Sequence, residues 1–275
     1  MSSESDYFLG FGGISLHVLH WFGEKPEKIL CIVHGHGEHG GRYEALAGEL
    51  VKENFAVFAM DLRGHGLSSG KKGHAPSHEA LMGDIEELLK TAREKYNDLP
   101  MYLMGHSMGG NLVANYMTQD NSNELSGFIL SSPWLKLAFE PPAIKLALGK
   151  MMSNLWPAYS EDNGLDTDML SRIPEEVQAY NDDPLVHGKI SAGLFNIINK
   201  GTERVFNQIE KIKKPALIYH GSGDRIIDYH TTEKLAQTNS SLFEWHPLQD
   251  VYHEAHHDLG KEMIPRLILD WIKKN

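Results

Sequence analysis

Met101-Tyr102-Leu103-Met104-Gly105-His106-Ser107-Met108-Gly109-Gly110 is the stretch on which the fold of this chain turns. An apolar run breaks into G-x-S-x-G and passes into a helical pattern from Asn111 to Thr118. A strand that turns sharply into a helix leaves no room for a Cβ on either side of the apex residue, which accounts for Gly105 and Gly109. Ser107 is then pushed out of the sheet edge, with a helix N-terminus behind it and its hydroxyl free to meet a base. G-x-S-x-G is short enough to arise in an ordinary glycine-rich turn, so its setting along the chain has to carry the argument.

That setting is an alternation of apolar strands and helical patterns. The chain opens with two extended stretches around Gly-Phe-Gly-Gly over residues 7–21, which read as a hairpin. Strands are expected over Lys28 to Val33, Phe55 to Met60, Met101 to Met104, Gly127 to Leu130, Ala216 to His220 and Leu242 to Pro247. Helices are expected near 42–53, 78–95, 109–119, 230–238 and 258–273. This order predicts an α/β fold with a mostly parallel sheet covered on both faces and ligands bound beyond the carboxyl ends of its strands. Residues 133–213 break the rhythm with Pro141-Pro142, many polar residues and no clear sheet strand, and read as an insertion. The core is therefore expected in 1–132 and 214–275, and a helical cap or lid in 133–213. Within the cap, Ile144, Leu148, Met151, Met152 and Leu155 follow helical spacing. Such a stripe either packs on the body or forms the underside of a lid that receives an acyl chain.

Composition narrows the function classes. The chain has 275 residues, enough for one large domain with an inserted piece. Its 26 basic against 37 acidic residues give a net charge of -11, which argues against a nucleic-acid or anionic-membrane surface and favours a neutral or cationic small molecule. The single cysteine, Cys31, lies in an apolar run and reads as a buried structural thiol. The acidic start lacks the pattern of a signal peptide, and no apolar run reaches the roughly 18 residues of a membrane span. A cytoplasmic protein is expected, with room for peripheral membrane contact.

Two further motifs compete with the serine. His34-Gly35-His36-Gly37-Glu38-His39-Gly40 contains G-x-G-x-x-G after a strand, but Glu38 would place a carboxylate where a pyrophosphate should sit. The same glycines are explained by an H-G-x-G loop whose N–H groups donate to a tetrahedral oxyanion. His253-Glu254-Ala255-His256-His257 spells H-E-x-x-H, but position 263 is Met and no suitable downstream glutamate completes a zinc site. Neither a metal nor an organic cofactor is expected. The acid candidate is Asp224, just past a strand, where Gly-Ser-Gly-Asp would also favour an Asx-turn. The base candidate among 16 histidines is His253, after the last strand, with His256 and His257 as substitutes.

These pieces together carry a family resemblance. His34 through Tyr43, Asp61-Leu62-Arg63-Gly64-His65-Gly66-Leu67-Ser68, Gly105 to Gly110, Leu170-Ser171-Arg172 with Asp183-Pro184-Leu185-Val186, Gly221 to Asp224 and Tyr252-His253-Glu254 span nearly the whole chain. It resembles the monoacylglycerol lipase and lysophospholipase branch of the α/β-hydrolases, which includes serine aminopeptidase-like domains. The resemblance implies a serine esterase of acyl glycerols or related lipids acting through an acyl-enzyme. Ser107 would be the nucleophile, His253 the base, Asp224 its orienter, and the backbone N–H groups of His36 and Met108 the oxyanion hole. Glu38, Arg42 and His256 would form the polar pocket, and the acyl chain would lie under the lid, where transient contact with membranes or lipid aggregates would also fall. His36 departs from the family pattern, in which a small or apolar residue is expected. Lysophospholipase, thioesterase or other carboxylesterase chemistry would use the same residues, and a non-catalytic ligand receptor on this scaffold is the alternative of a different class.

Overall fold

Strands that are apolar at every position need cover on both faces, and the computed structural model of the chain supplies it. It describes the backbone of residues 1–275 and the side chains of all but 143–146. The chain opens with an antiparallel hairpin of β1 (Ser2–Leu9) and β2 (Ser15–Phe22). It continues through β3 (Lys28–Val33), α1 (Glu44–Lys52), β4 (Phe55–Met60), α2 (His78–Lys95), β5 (Met101–His106), α3 (Met108–Tyr116) and β6 (Gly127–Ser131). After residue 131 it leaves the sheet for α4 (Ala143–Leu155), β7 (Ser160–Asp162), α5 (Pro174–Asp182), β8 (Lys189–Ser191) and α6 (Ala192–Asn207). It returns with β9 (Ala216–Gly221), α7 (Tyr229–Thr238), β10 (Phe243–Leu248) and α8 (Met263–Lys274).

The main sheet has eight strands in the order β1-β2-β4-β3-β5-β6-β9-β10. β3 to β6, β9 and β10 are mutually parallel, while β2 joins β4 antiparallel. The period of two along each strand divides the core into two layers. Ile29, Cys31 and Val33 of β3 pack in the layer of α2, α3 and α7, with Leu81, Ile85, Leu112 and Leu235. Leu30 and Ile32 pack in the layer of α1 and α8, with Leu50, Ile268 and Trp271. Burial pushes the Cys31 thiol well above its ordinary range, consistent with an inert packing residue.

The hairpin is longer than the sequence suggests. β1 is exposed along nearly its whole length, so its residues carry no apolar alternation to betray a strand. The last helix starts at Met263, with 258–262 in turns and bends. β6 and β9 are direct neighbours, so the chain between them is an excursion from a sheet that closes without it. That excursion does contain strands, against expectation. β7 and β8 form a separate antiparallel pair of three residues each, too short and too polar to show a period. In the expected stripe, Leu148, Met151 and Leu155 are all exposed, and Leu148 and Met152 also line a cavity. The side chains of Ile144 and Lys145 lie outside the described residues.

Trp271 is the largest fully buried side chain; it meets Tyr102 at 6.0 Å edge-on and closes over Gly127, whose absent Cβ would lie 2.7 Å from the indole. Trp271→Ala should therefore cost about 3–5 kcal/mol of stability, read as a shift in the urea unfolding midpoint.

Candidate active site

The geometry of the site starts with the backbone of Ser107, at φ 52 and ψ −116. A side chain is rarely held in such a conformation, and the strain is on the order of 1–3 kcal/mol. The neighbours enforce it. A Cβ on Gly109 would lie 2.0 Å from the Val33 carbonyl oxygen, and one on Gly105 would lie 2.3 Å from the Gly109 oxygen. The Ser107 N–H donates to the Ser131 carbonyl at 3.0 Å, and the Ser107 carbonyl accepts from Trp134 N–H at 2.8 Å. Ser107 is thus tied to the end of β6 while α3 begins at Met108 behind it. The Met108 N–H, at the first position of α3, donates to no acceptor among the described residues, and neither does the His36 N–H.

Asp224 lies just past β9 and accepts four hydrogen bonds. Its Oδ1 takes the N–H groups of Ile226 at 2.8 Å and Ile227 at 3.0 Å, the first being the Asx-turn its local sequence suggests. Its Oδ2 takes His253 Nδ1 at 2.6 Å and His220 Nε2 at 2.8 Å. Burial would raise the Asp224 carboxyl, but His253 and the two imidazole hydrogen bonds hold it well below the usual carboxylate range. Burial works against charge on His253, yet the Asp224 carboxylate raises its pKa above the ordinary imidazole value. With Nδ1 spent on Asp224, His253 Nε2 has no partner among the described residues, and His253 and Ser107 line the same cavity. Among the described residues, Ser107 Oγ has no hydrogen-bond partner.

The loop after β3 comes close enough that a Cβ on Gly35 would lie 3.2 Å from the Ser107 Cβ. Its shape is set by Glu38, whose Oε1 accepts from Gly35 N–H at 2.6 Å and Tyr43 hydroxyl at 2.9 Å. The amide that a dinucleotide phosphate would need is thus taken by the chain's own carboxylate. Arg42 donates to Glu38 Oε2 at 3.0 Å and to both oxygens of Glu254 at 2.7 Å each, and lies over the Tyr180 ring at 4.6 Å. Burial opposes all three charges, but mutual pairing lowers Glu38 and Glu254 and raises Arg42. Glu38 lines the cavity, whereas Arg42 and His256 do not. The expected polar pocket is thus only partly assembled, because the Arg42 guanidinium is consumed by two carboxylates. His256 stacks on Tyr43 at 4.8 Å, and both its ring nitrogens are buried without a partner among the described residues.

His36 ties this loop to the excursion. Its Nε2–H donates to the Lys189 carbonyl at 3.0 Å, and its Nδ1 accepts from Asn163 Nδ2 at 3.3 Å. Burial lowers its pKa to about 4, which keeps the ring neutral and able to do both. His187 adds a second tie by donating to the Gly64 carbonyl at 2.9 Å, while its own N–H donates to the Gly37 carbonyl. Over Ser107 and His253 the excursion forms part of the wall of a partly open cavity of about 980 Å³. Its walls include Trp134, Leu148, Met152, Phe195 and Ile227, and its rim carries Asp162, Asp166 and Lys200. The H-E-x-x-H letters fall in turns rather than on a helix. Their imidazoles point to different partners, His253 to Asp224 and His257 Nε2 to the Arg42 carbonyl. Among the described residues no group of three or more His, Cys, Asp or Glu side chains could hold a metal ion.

A mostly parallel sheet with a serine on a positive-φ turn between β5 and α3 is the α/β-hydrolase fold. The comparisons with known proteins narrow this to a family, since the one described as serine aminopeptidase, S33 matches residues 24–260. The chain belongs to that family. The monoacylglycerol lipase of Mycolicibacterium smegmatis is 32% identical over 272 residues, covering 98% of this chain and 95% of that protein. The crystal structure of Paleococcus ferrophilus monoacylglycerol lipase superposes with a TM-score of 0.84 at 34% identity, covering 93% of this chain and 97% of that one. An abhydrolase domain-containing protein of Dictyostelium discoideum is 32% identical over 255 residues, 91% of this chain but 27% of that longer protein.

Beyond the H-E-x-x-H letters, neither Glu254 nor His220 carries a motif signal of its own, although each stands beside a residue of the site. Glu254 follows His253 and His220 precedes Gly221, but only folding shows that they pair with Arg42 and Asp224. Arg42→Met should leave two buried carboxylates facing each other and cost about 3–5 kcal/mol, measured by denaturant unfolding at neutral pH. The loss should shrink at low pH, where protonation relieves the two acids.

Proposed function

We propose that this protein hydrolyses carboxylic esters of acyl glycerols or closely related single-chain lipids through Ser107, His253 and Asp224. The observation that carries the reading is one arrangement. A serine on a strained turn shares the floor of a large, mainly apolar cavity with a histidine whose far nitrogen is held by a buried carboxylate. Similarity to two monoacylglycerol lipases supports the substrate class.

In this reading His253 Nε2 takes the proton as Ser107 Oγ attacks the ester carbonyl, and the free N–H groups of His36 and Met108 receive the oxyanion. The imidazolium then gives its proton to the departing alcohol. Water repeats the sequence on the acyl-enzyme, and neither step calls for a metal or an organic cofactor. Residues 1–132 and 214–275 act as the catalytic body and 133–213 as the lid over the acyl chain. Among the described residues no helix is long and apolar enough to cross a membrane. The exposed Met151, Leu155 and Trp156 on the lid suit transient contact with a lipid aggregate. The polar end of the ester is assigned to the wall formed by His36 and Glu38, with Arg42 and His256 shaping it from behind.

A fluorophosphonate probe should label the purified protein and fail to label Ser107→Ala, with monoacylglycerol hydrolysis lost in the same variant by a factor of about 10³ or more. Chelation should leave both unchanged; activity that survives Ser107→Ala and dies on chelation defeats the mechanism. Because His253 must be neutral to accept the proton and its pKa is raised, kcat/KM should fall as pH drops through an inflection above about 6.5, the ordinary imidazole value.

A further inference from the structure

His220 is a buried titratable group for which the mechanism above has no use. It lies fully buried one residue before the end of β9, where an aliphatic side chain would serve packing alone and spare the cost of burying a polar ring. Instead both ring nitrogens are engaged: Nε2–H donates to Asp224 Oδ2 at 2.8 Å, and Nδ1 meets Thr232 Oγ1 at 2.9 Å. Thr232, on α7, is itself fully buried, and among the described residues its hydroxyl has no partner other than His220. Asp224 Oδ2 therefore receives two imidazole N–H groups side by side, one from the proposed base and one from a residue that lines no part of the cavity.

Resting on the triad reading above, we propose that Thr232 and His220 form a relay behind Asp224 that positions the carboxylate and sets how strongly it raises the basicity of His253. The physical argument concerns shared charge. A carboxylate that already receives an N–H dipole presents less negative potential to a second imidazole, so His253 is protonated less readily than beside a singly bonded aspartate. The hydroxyl fixes the tautomer: with Thr232 donating to Nδ1, the ring proton must sit on Nε2, facing Asp224. His220 is thus a positioning residue, acting on the reaction through Asp224. The titratable groups around the pair are Tyr229, whose ring lies 5.8 Å from that of His220, and His106, 4.8 Å from the ring of His253. Glu38 and Glu254 also raise His253, and the variants below leave both in place.

The test is the acid limb of the kcat/KM profile for a p-nitrophenyl ester, with the rate of fluorophosphonate labelling against pH as a second readout. His220→Leu should move the limb to higher pH by about one unit, since His253 then faces an unshared carboxylate. His220→Gln, whose amide can donate to Asp224 and accept from Thr232, should return the limb to within a few tenths of a unit of the parent. Thr232→Val should move it in the same direction by a smaller amount, and Thr232→Ser should not. A limb that stays in place in His220→Leu and Thr232→Val, or moves equally in the Leu and Gln variants, overturns the relay. Should His220→Leu fail to fold, the near-isosteric Thr232 pair decides. Labelling retained in Ser107→Ala would instead bring down the triad reading itself, whereas labelling lost there with an unmoved limb defeats the relay alone.

Discussion

The conformation of Ser107 is the constraint on which the rest of the site depends. A φ of 52 on a residue with a side chain is unfavourable, so the surrounding structure must impose it. Three neighbouring strands do so: Val33 at the end of β3 presses on Gly109, Ser131 at the end of β6 holds the Ser107 N–H, and Gly105 closes β5 against the first turn of α3. Remove the adjacency of β3, β5 and β6 and nothing keeps the serine out of an ordinary extended or helical conformation. The parallel sheet, its two apolar layers and its strand order are therefore also the means of holding one hydroxyl at the start of a helix.

Around that apex the chain buries several carboxylates and gives each its partners, while the ring nitrogens of His256 stay without one among the described residues. Asp224 accepts two backbone amides and two imidazoles, and Glu38 accepts an amide, a hydroxyl and a guanidinium. Each would be costly alone, and each is repaid only by partners that fix its orientation. Arg42 joins the loop after β3 to Glu254, next to His253, so the position of that loop and the position of the imidazole are coupled by a buried ion-pair network. His36 and His187 extend the coupling to the excursion through Lys189 and Gly64.

Much of the fold was legible in the chain because its central strands are short apolar runs bounded by glycine and polar turns. Strand and helix periods survive even when edges shift by a residue or two. β1 was only partly visible because an edge strand exposed on both faces has no apolar side to show. β7 and β8 were invisible because three-residue polar strands carry no period. The stripe over residues 144–155 was readable as amphipathic, but its division between cavity and solvent depends on where α4 lies over the sheet, which no local pattern encodes.

The same division runs through the site. Gly105-x-Ser107-x-Gly109 identifies a strained turn by local sterics, and Glu38 inside a glycine-rich loop argues against a phosphate seat by its charge; both readings need only the residues in order. Which histidine of the last loop meets Asp224, and whether Arg42 faces a ligand or two carboxylates, were decided by contacts between segments up to 212 positions apart. Sequence by itself determines what a segment of ten residues can do, because backbone sterics and periodicity act over that range. Only tertiary structure decides which charges are paired and which nitrogen is left free, because hydrogen bonds and ion pairs depend on distances that packing alone sets.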